Sequence, residues 1–182
     1  MRIISGTHKG RPVHPPSGLP VRPTTDFAKE GLFNIIQNHF DLSEVNDVLD
    51  LFAGTGSITF EFASRQCGQI TSMDNNRKCI DFISKTALAF KFSNIKTIRS
   101  EVFHFLQQCK IDYDIIFADP PYDMEEKIKT IPDLVFANNI LKPEGWLIVE
   151  HSRFIDFSKH LNFLQHRNYG NVNFSIFTSK GN

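Results

Sequence analysis

The stretch "DVLDLFAGTGSI" (Asp47–Ile58) starts as a mainly apolar run, interrupted by Asp50, and breaks at Gly54 and Gly56. A short apolar run bounded by turn residues predicts a strand buried on both faces, over 47–52. The glycines let the chain turn sharply and bring its backbone close to a ligand. From Ser57 to about Gln66 the pattern turns helical, so this helix presents its N-terminus to whatever the turn holds. Strand, glycine turn and helix form the opening unit of a parallel α/β sheet. A dinucleotide fingerprint would carry a third glycine three residues on. That position is Thr59, which argues against NAD. Asp50, inside the turn region, suits a cationic ligand better than a pyrophosphate.

Outward from this unit the same alternation repeats. Strands are expected at 69–74, 95–99, 112–118 and 145–151, with helices at 76–91, from about Glu101, and around 124–139, where Pro132 interrupts or restarts the last. The tail reads as two strands joined at Tyr169-Gly170-Asn171. Val172, Phe174 and Ile176 alternate with polar residues, as an antiparallel edge ribbon should. The fold class is therefore α/β, a Rossmann-like, mostly parallel doubly wound sheet with an antiparallel C-terminal ribbon. Before the first strand, Thr24-Thr25-Asp26 offers N-caps for a helix to about His39. Residues 1–24 differ from the rest: short extended runs around "GTHKG" predict a small β-hairpin, and "PPSGLPVRP" a connector. Two units are expected, an arm and connector at 1–24 and the main domain at 25–182. The first 20 residues supply few apolar side chains, so the sheet is expected not to need them.

The 182 residues, 41% hydrophobic, suit one globular core. Lys+Arg and Asp+Glu both total 20, so net charge names no partner. The first 30 residues, however, hold Arg2, Lys9, Arg11, Arg22 and Lys29 against Asp26 and Glu30, a basic excess that could meet phosphate. Three widely spaced cysteines without a C-x-x-C argue against a disulfide framework and a zinc site, and fit a reducing cytoplasm. No apolar run approaches the length of a membrane span. A soluble cytoplasmic protein with no metal and no membrane partner is expected.

Ligands on doubly wound sheets bind at the carboxyl ends of the strands. There the predicted strands carry, in order, the Gly54–Gly56 turn, Asp74, Glu101 and "DPPY" (Asp119–Tyr122). Asp74 is placed to accept hydrogen bonds from ribose hydroxyls, and Glu101 could meet an adenine amino group. Four such ends together resemble an S-adenosylmethionine-dependent methyltransferase, and the Asp-Pro-Pro-Tyr corner resembles that of enzymes that methylate nitrogen. The corner suits this chemistry. An aromatic amine is a poor nucleophile because its lone pair is delocalised into the ring. Asp119, and a backbone carbonyl held rigid by Pro120 and Pro121, can accept its two N–H bonds and free the lone pair. Tyr122 can stack on a base that has left its helix.

The likeness extends along nearly the whole chain. "MRIISGTHKGRPVHPP", "VRPTTDFAKEGLFNII", "DLFAGTGSITFEFASR", "DPPY" and "WLIVEH" occur in the order and spacing of the RsmD family. Its most diagnostic piece is R-P-T-T-D (Arg22–Asp26) running into K-E-x-L-F-N (Lys29–Asn34). The resemblance implies methyl transfer from S-adenosylmethionine to N2 of a guanine, position 966, in 16S rRNA of the small ribosomal subunit or its assembly intermediate. It implies that Asp50, Phe52, Ala53, Gly54, Gly56, Asp74, Glu101 and Val102 bind the cofactor, and that Asp119, Pro120, Pro121 and Tyr122 are catalytic. Arg2, Lys9, Arg11, Arg22 and Thr24 would contact the RNA. An adenine-N6 methyltransferase using the same corner would normally need a target-recognition insertion, and no segment is long enough. A non-catalytic assembly factor would be expected to have lost Asp119 or the glycines.

Overall fold

The computed structural model describes residues 1–19, 25–121 and 124–179; Arg22, Thr24 and Tyr122 lie outside these. Seven strands form one sheet: β1 (Asp47–Leu51), β2 (Gln69–Asp74), β3 (Ile95–Arg99), β4 (Tyr113–Ala118), β5 (Leu141–His151), β6 (Phe163–Tyr169) and β7 (Val172–Thr178). Their order across the sheet is β3-β2-β1-β4-β5-β7-β6. The first five run parallel, and β7 is antiparallel to both neighbours. Helices α1 (Asp26–Gln37), α2 (Ser57–Ser64), α3 (Arg77–Ala89), α4 (Val102–Gln108), α5 (Glu125–Ile128) and α6 (Ile131–Ala137) complete the alternation.

Each element follows from its residues. The central strands are apolar on both sides because each face is covered: Leu49, Leu51, Ile116, Leu147 and Val149 pack towards α4 and α6, while Val48, Ile70, Ile115, Trp146 and Ile148 pack towards α1 and α2. Thr25 caps α1 by accepting the Ala28 N–H at 3.2 Å. The predicted 124–139 helix is two helices. Pro132 sits in the first turn of α6, where its missing N–H leaves no bond unmade. The tail also differs in one respect from an outer ribbon. Its second strand, β7, lies inside against β5, and β6 is the edge. The polar alternates Asn173 and Ser175 share a face with Phe177, which Phe157 covers, and are buried. Ser175 Oγ is hydrogen-bonded to His151 Nε2 at 2.8 Å, and Asn173 Oδ1 accepts from Asn168 Nδ2 at 3.0 Å.

The arm is the expected antiparallel hairpin in minimal form: its two runs meet at the bridge Arg2↔Pro12 and are joined by backbone hydrogen bonds, Ile3 N to Arg11 O at 3.1 Å and Val13 N to Met1 O at 2.9 Å, around a 3-10 turn at Gly6–His8. It corrects the sequence reading in one respect: it is no detachable appendage. Ile3 and Val13 are buried against Ala53, Phe60 and Ile83, a contribution of roughly 1.5–3 kcal/mol per side chain. Below them is a buried ion network. Lys29 (1% exposed) donates from Nζ to the Arg2 carbonyl at 2.7 Å and to Glu61 Oε1 at 3.2 Å. Glu61, fully buried, also accepts the Ile4 N–H at 2.6 Å and pairs with Arg65. Ser64 Oγ donates to the Ser5 carbonyl at 2.6 Å and accepts from His8 N at 2.9 Å. At Gly6 (φ +81°) a Cβ would lie 1.9 Å from the Ser64 carbonyl oxygen, so only glycine permits this approach.

Candidate active site

Parallel strands lying side by side bring their carboxyl ends to one edge. The order β3-β2-β1-β4 thus aligns Glu101, Asp74, the Gly54–Gly56 turn and Asp119. Backbone bonds fix the loops to one another: Ala53 N donates to Met73 O at 2.8 Å, and Ser100 N to Asp74 O at 3.2 Å. Phe52 occupies left-handed backbone space (φ 59°), a conformation that costs a bulky residue on the order of 1–3 kcal/mol. Gly56 (φ 75°) then turns the chain into α2. A Cβ there would sit 2.9 Å from the Phe60 ring.

Asp74 is not the N-cap of the following helix; Asn76 is, accepting the Lys78 N–H at 2.9 Å. Instead the Asp74 carboxylate takes the Gly54 N–H on Oδ2 and the Asn76 N–H on Oδ1, both at 2.8 Å. Each oxygen keeps acceptor capacity, and the two backbone N–H bonds fix where the carboxylate points. Glu101 caps α4 by accepting the His104 N–H on Oε2 at 2.8 Å, while its exposed end keeps acceptor capacity. Val102 beside it is buried, and Phe52 meets Phe103 edge-on at 6.4 Å. Acidic acceptors at two strand ends, a close-approach turn and apolar walls fit a nucleoside carrying a positive charge.

Asp50 is placed differently from the expected cofactor contact. It is 1% exposed, and its Oδ2 accepts the Thr59 hydroxyl at 2.5 Å; Thr59 is in turn 2.9 Å from Ser72 Oγ. The carboxyl is thus tied to the first turn of α2 and not left open at the edge. Thr59, read in the sequence only as a missing glycine, is its partner. Burial pushes Asp50 up to about 7, with further repulsion from Asp119 and Asp74 working against the Thr59 hydrogen bond. Asp119, partly exposed and followed by buried Pro120 and exposed Pro121, is pushed up to about 7 by desolvation. These two carboxyls share one face of neighbouring strands, since Asp50 pairs with Phe117, two residues before Asp119.

The pair sets a testable pH dependence. The folded pKa values lie above the ordinary carboxylate value, so the folded state holds protons that the unfolded chain releases. The stabilisation is present below about pH 4 and is lost as pH rises towards 7. Urea midpoints should fall from pH 5 to pH 8, and Asp50→Asn should flatten that fall; an unchanged slope would refute the assignment.

A sequence profile described as "Conserved hypothetical protein 95" matches residues 1–178. The chain belongs to that family, the RsmD family. Curated relatives include "Ribosomal RNA small subunit methyltransferase D" of Haemophilus influenzae, 35% identical over 82% of this chain and 78% of that one. The Escherichia coli protein of the same description is 30% identical over 86% and 74%. Among solved structures, "Putative methyltransferase yhhF from Escherichia coli" superposes with a TM-score of 0.82 at 27% identity, covering 97% of this chain and 96% of that one. The RsmD sheet thus carries Asp74, Glu101 and Asp119 at one edge. Of the expected RNA contacts, Arg2 pairs with Asp26 at 2.8 Å and the Arg11 guanidinium lies 3.7 Å over the Phe90 ring, both on the arm's exposed side, where Lys9 is also exposed.

Proposed function

We propose that the chain transfers the methyl group of S-adenosylmethionine to the exocyclic N2 of a guanine in 16S rRNA of the small ribosomal subunit. The observation that carries this is Asp119: a carboxyl raised to about 7 by desolvation, followed by two prolines, at the strand end beside the edge that carries the Gly54–Gly56 turn, Asp74 and Glu101. Relatives named for methylating small-subunit rRNA support the choice of substrate.

When bound, S-adenosylmethionine supplies an electrophilic methyl on a sulfonium. Asp74 takes the ribose hydroxyls, Glu101 the adenine amino group, and the Gly54–Gly56 backbone the methionine end, with Phe52, Ala53 and Val102 as walls. Asp50, tied to the first turn of α2, favours the positive charge. Asp119 and a carbonyl of the proline corner accept the two N–H bonds of the guanine amine, turning its lone pair towards the methyl. Asp119 would take the proton that the methylated nitrogen sheds, and a carboxyl with a pKa near neutrality is suited to that transfer. Most of the acceleration comes from orientation and from stabilising the charge developing on nitrogen. Tyr122 stacks on the base, and Arg2, Lys9, Arg11, Arg22 and Thr24 position the RNA strand through phosphate contacts.

Mass spectrometry of 16S rRNA nucleosides from a deletion strain should show one N2-methylguanosine missing, restored by the purified protein with S-adenosylmethionine. Full retention of the modification would refute the reading. Asp74→Ala should weaken S-adenosylmethionine by about 1–3 kcal/mol, the worth of hydrogen bonds to a charged acceptor. Calorimetry with unchanged affinity would remove Asp74 from the site.

A further inference from the structure

Large apolar side chains left in water are not scattered evenly over this molecule. Among the described residues, Leu88, Ile111, Leu161 and Leu164 lie at or near the amino edge of the sheet: at the end of α3, just before β4, just before β6, and at its start. All four are aliphatic. At the carboxyl edge, where Asp119 lies, the exposed pair is Phe27 (65%) and Phe154 (76%). Among the described residues, the large exposed hydrophobics at the edge that carries the chemistry are Phe rings, and those at the other edge are aliphatic.

Both rings are mounted rigidly. Phe154 stands on a tight turn after β5, in which Ile155 N donates to Ser152 O at 3.2 Å. The turn is fastened on three sides. His151 Nδ1 is 2.8 Å from the Ser152 carbonyl, Ser152 Oγ donates to Glu125 Oε1 of α5 at 2.9 Å, and Ile155 is buried in the core. The Arg153 guanidinium lies 5.0 Å over the Phe154 ring. Phe27 sits in the first turn of α1, braced edge-on at 5.9 Å by Tyr169, the last residue of β6. Tyr169 is itself held by its hydroxyl donating to Gly31 O at 3.1 Å. The two rings occupy opposite flanks of the edge, since α1 covers one face of the sheet while Ile155 and Phe157 pack into the other.

We propose that Phe27 and Phe154, the latter with Arg153, are stacking platforms for unpaired bases that neighbour the target nucleotide. Both rings lie towards β5 and β6 from Asp119, on opposite faces of the sheet, so a single strand leaving the target in that direction would meet them. Arg153 adds a charge for the backbone, and a planar cation that can itself stack. A ring presented to water by a fastened turn has already lost the freedom that base binding would otherwise remove. This inference rests on the RNA methyltransferase reading above.

The test uses the full-length protein and unmethylated small-subunit particles from a deletion strain. Phe154→Ala and Phe27→Ala should each raise KM for particles by about 5- to 150-fold, the range carried by base–aromatic stacking, while leaving kcat less changed and S-adenosylmethionine affinity intact. Phe154→Trp should restore KM, and its fluorescence should be quenched on RNA binding; Phe154→Leu, apolar but ringless, should behave like alanine. Wild-type KM in both alanine variants, or full rescue by leucine, would overturn the platforms alone. Wild-type protein that does not methylate the particles would overturn the RNA reading and the platforms with it.

Discussion

Asp119→Ala should lower kcat for methyl transfer by about 10²–10⁴-fold while S-adenosylmethionine affinity stays nearly intact. The carboxyl is assigned to the target amine and not to the cofactor, so the two readouts should separate. Asp119→Asn gives the finer outcome. Its carbonyl can still accept one N–H, so it should exceed alanine in rate, but it can take no proton. The rise in rate through about pH 7 expected of the wild type should therefore flatten. That limb belongs to Asp50 and Asp119 together, because each carboxyl feels the other's charge. A rapid-quench assay in which Asp119→Ala turns over at the wild-type rate would end the mechanism.

The second large effect is on stability. Glu61→Ala removes the acceptor shared by Lys29, Arg65 and the Ile4 N–H, all away from water. Stranding buried cations costs about 3–5 kcal/mol. At this chain length, that is a fall of roughly 6–20 °C in Tm. Lys29→Met with Glu61→Leu should recover only part of the loss, because Arg65 stays charged and buried against the Phe33 ring. Removing residues 1–15 should destabilise the domain in the same way, and calorimetry showing an unchanged Tm would show that the arm is not needed.

Much of this molecule could be read from its sequence, for identifiable reasons. Central strands bury both faces and appear as apolar runs, and the acids at their ends stand out against those runs. Asp74, Glu101 and Asp119 were legible in this way. Glu61 was not. Within "SITFEFAS" it looks like the solvent side of a helix, and it is buried only because Ile4 and Lys29, 57 and 32 residues away, reach it. Lys29, part of the most diagnostic family segment, fastens the arm. Asn173 and Ser175 misled for the same reason: alternation shows which residues share a face, but both faces of β7 are covered, one by α1 and the other by the segment carrying Ile155 and Phe157. Phe154 gave no periodic signal, since its meaning depends on which edge of the sheet it occupies.

The placement of β7 has a consequence for biosynthesis. Translation delivers β6 before β7, yet among the described residues β6 pairs only with β7, and the free side of β5 waits for that same strand. Until about residue 178 has left the ribosome, the Trp146–Val149 stretch offers an open, apolar strand edge, a ready template for pairing with another chain. A frameshift or nonsense codon just before Val172 would therefore cost an interior strand and its dependent neighbour, and leave an aggregation-prone sheet.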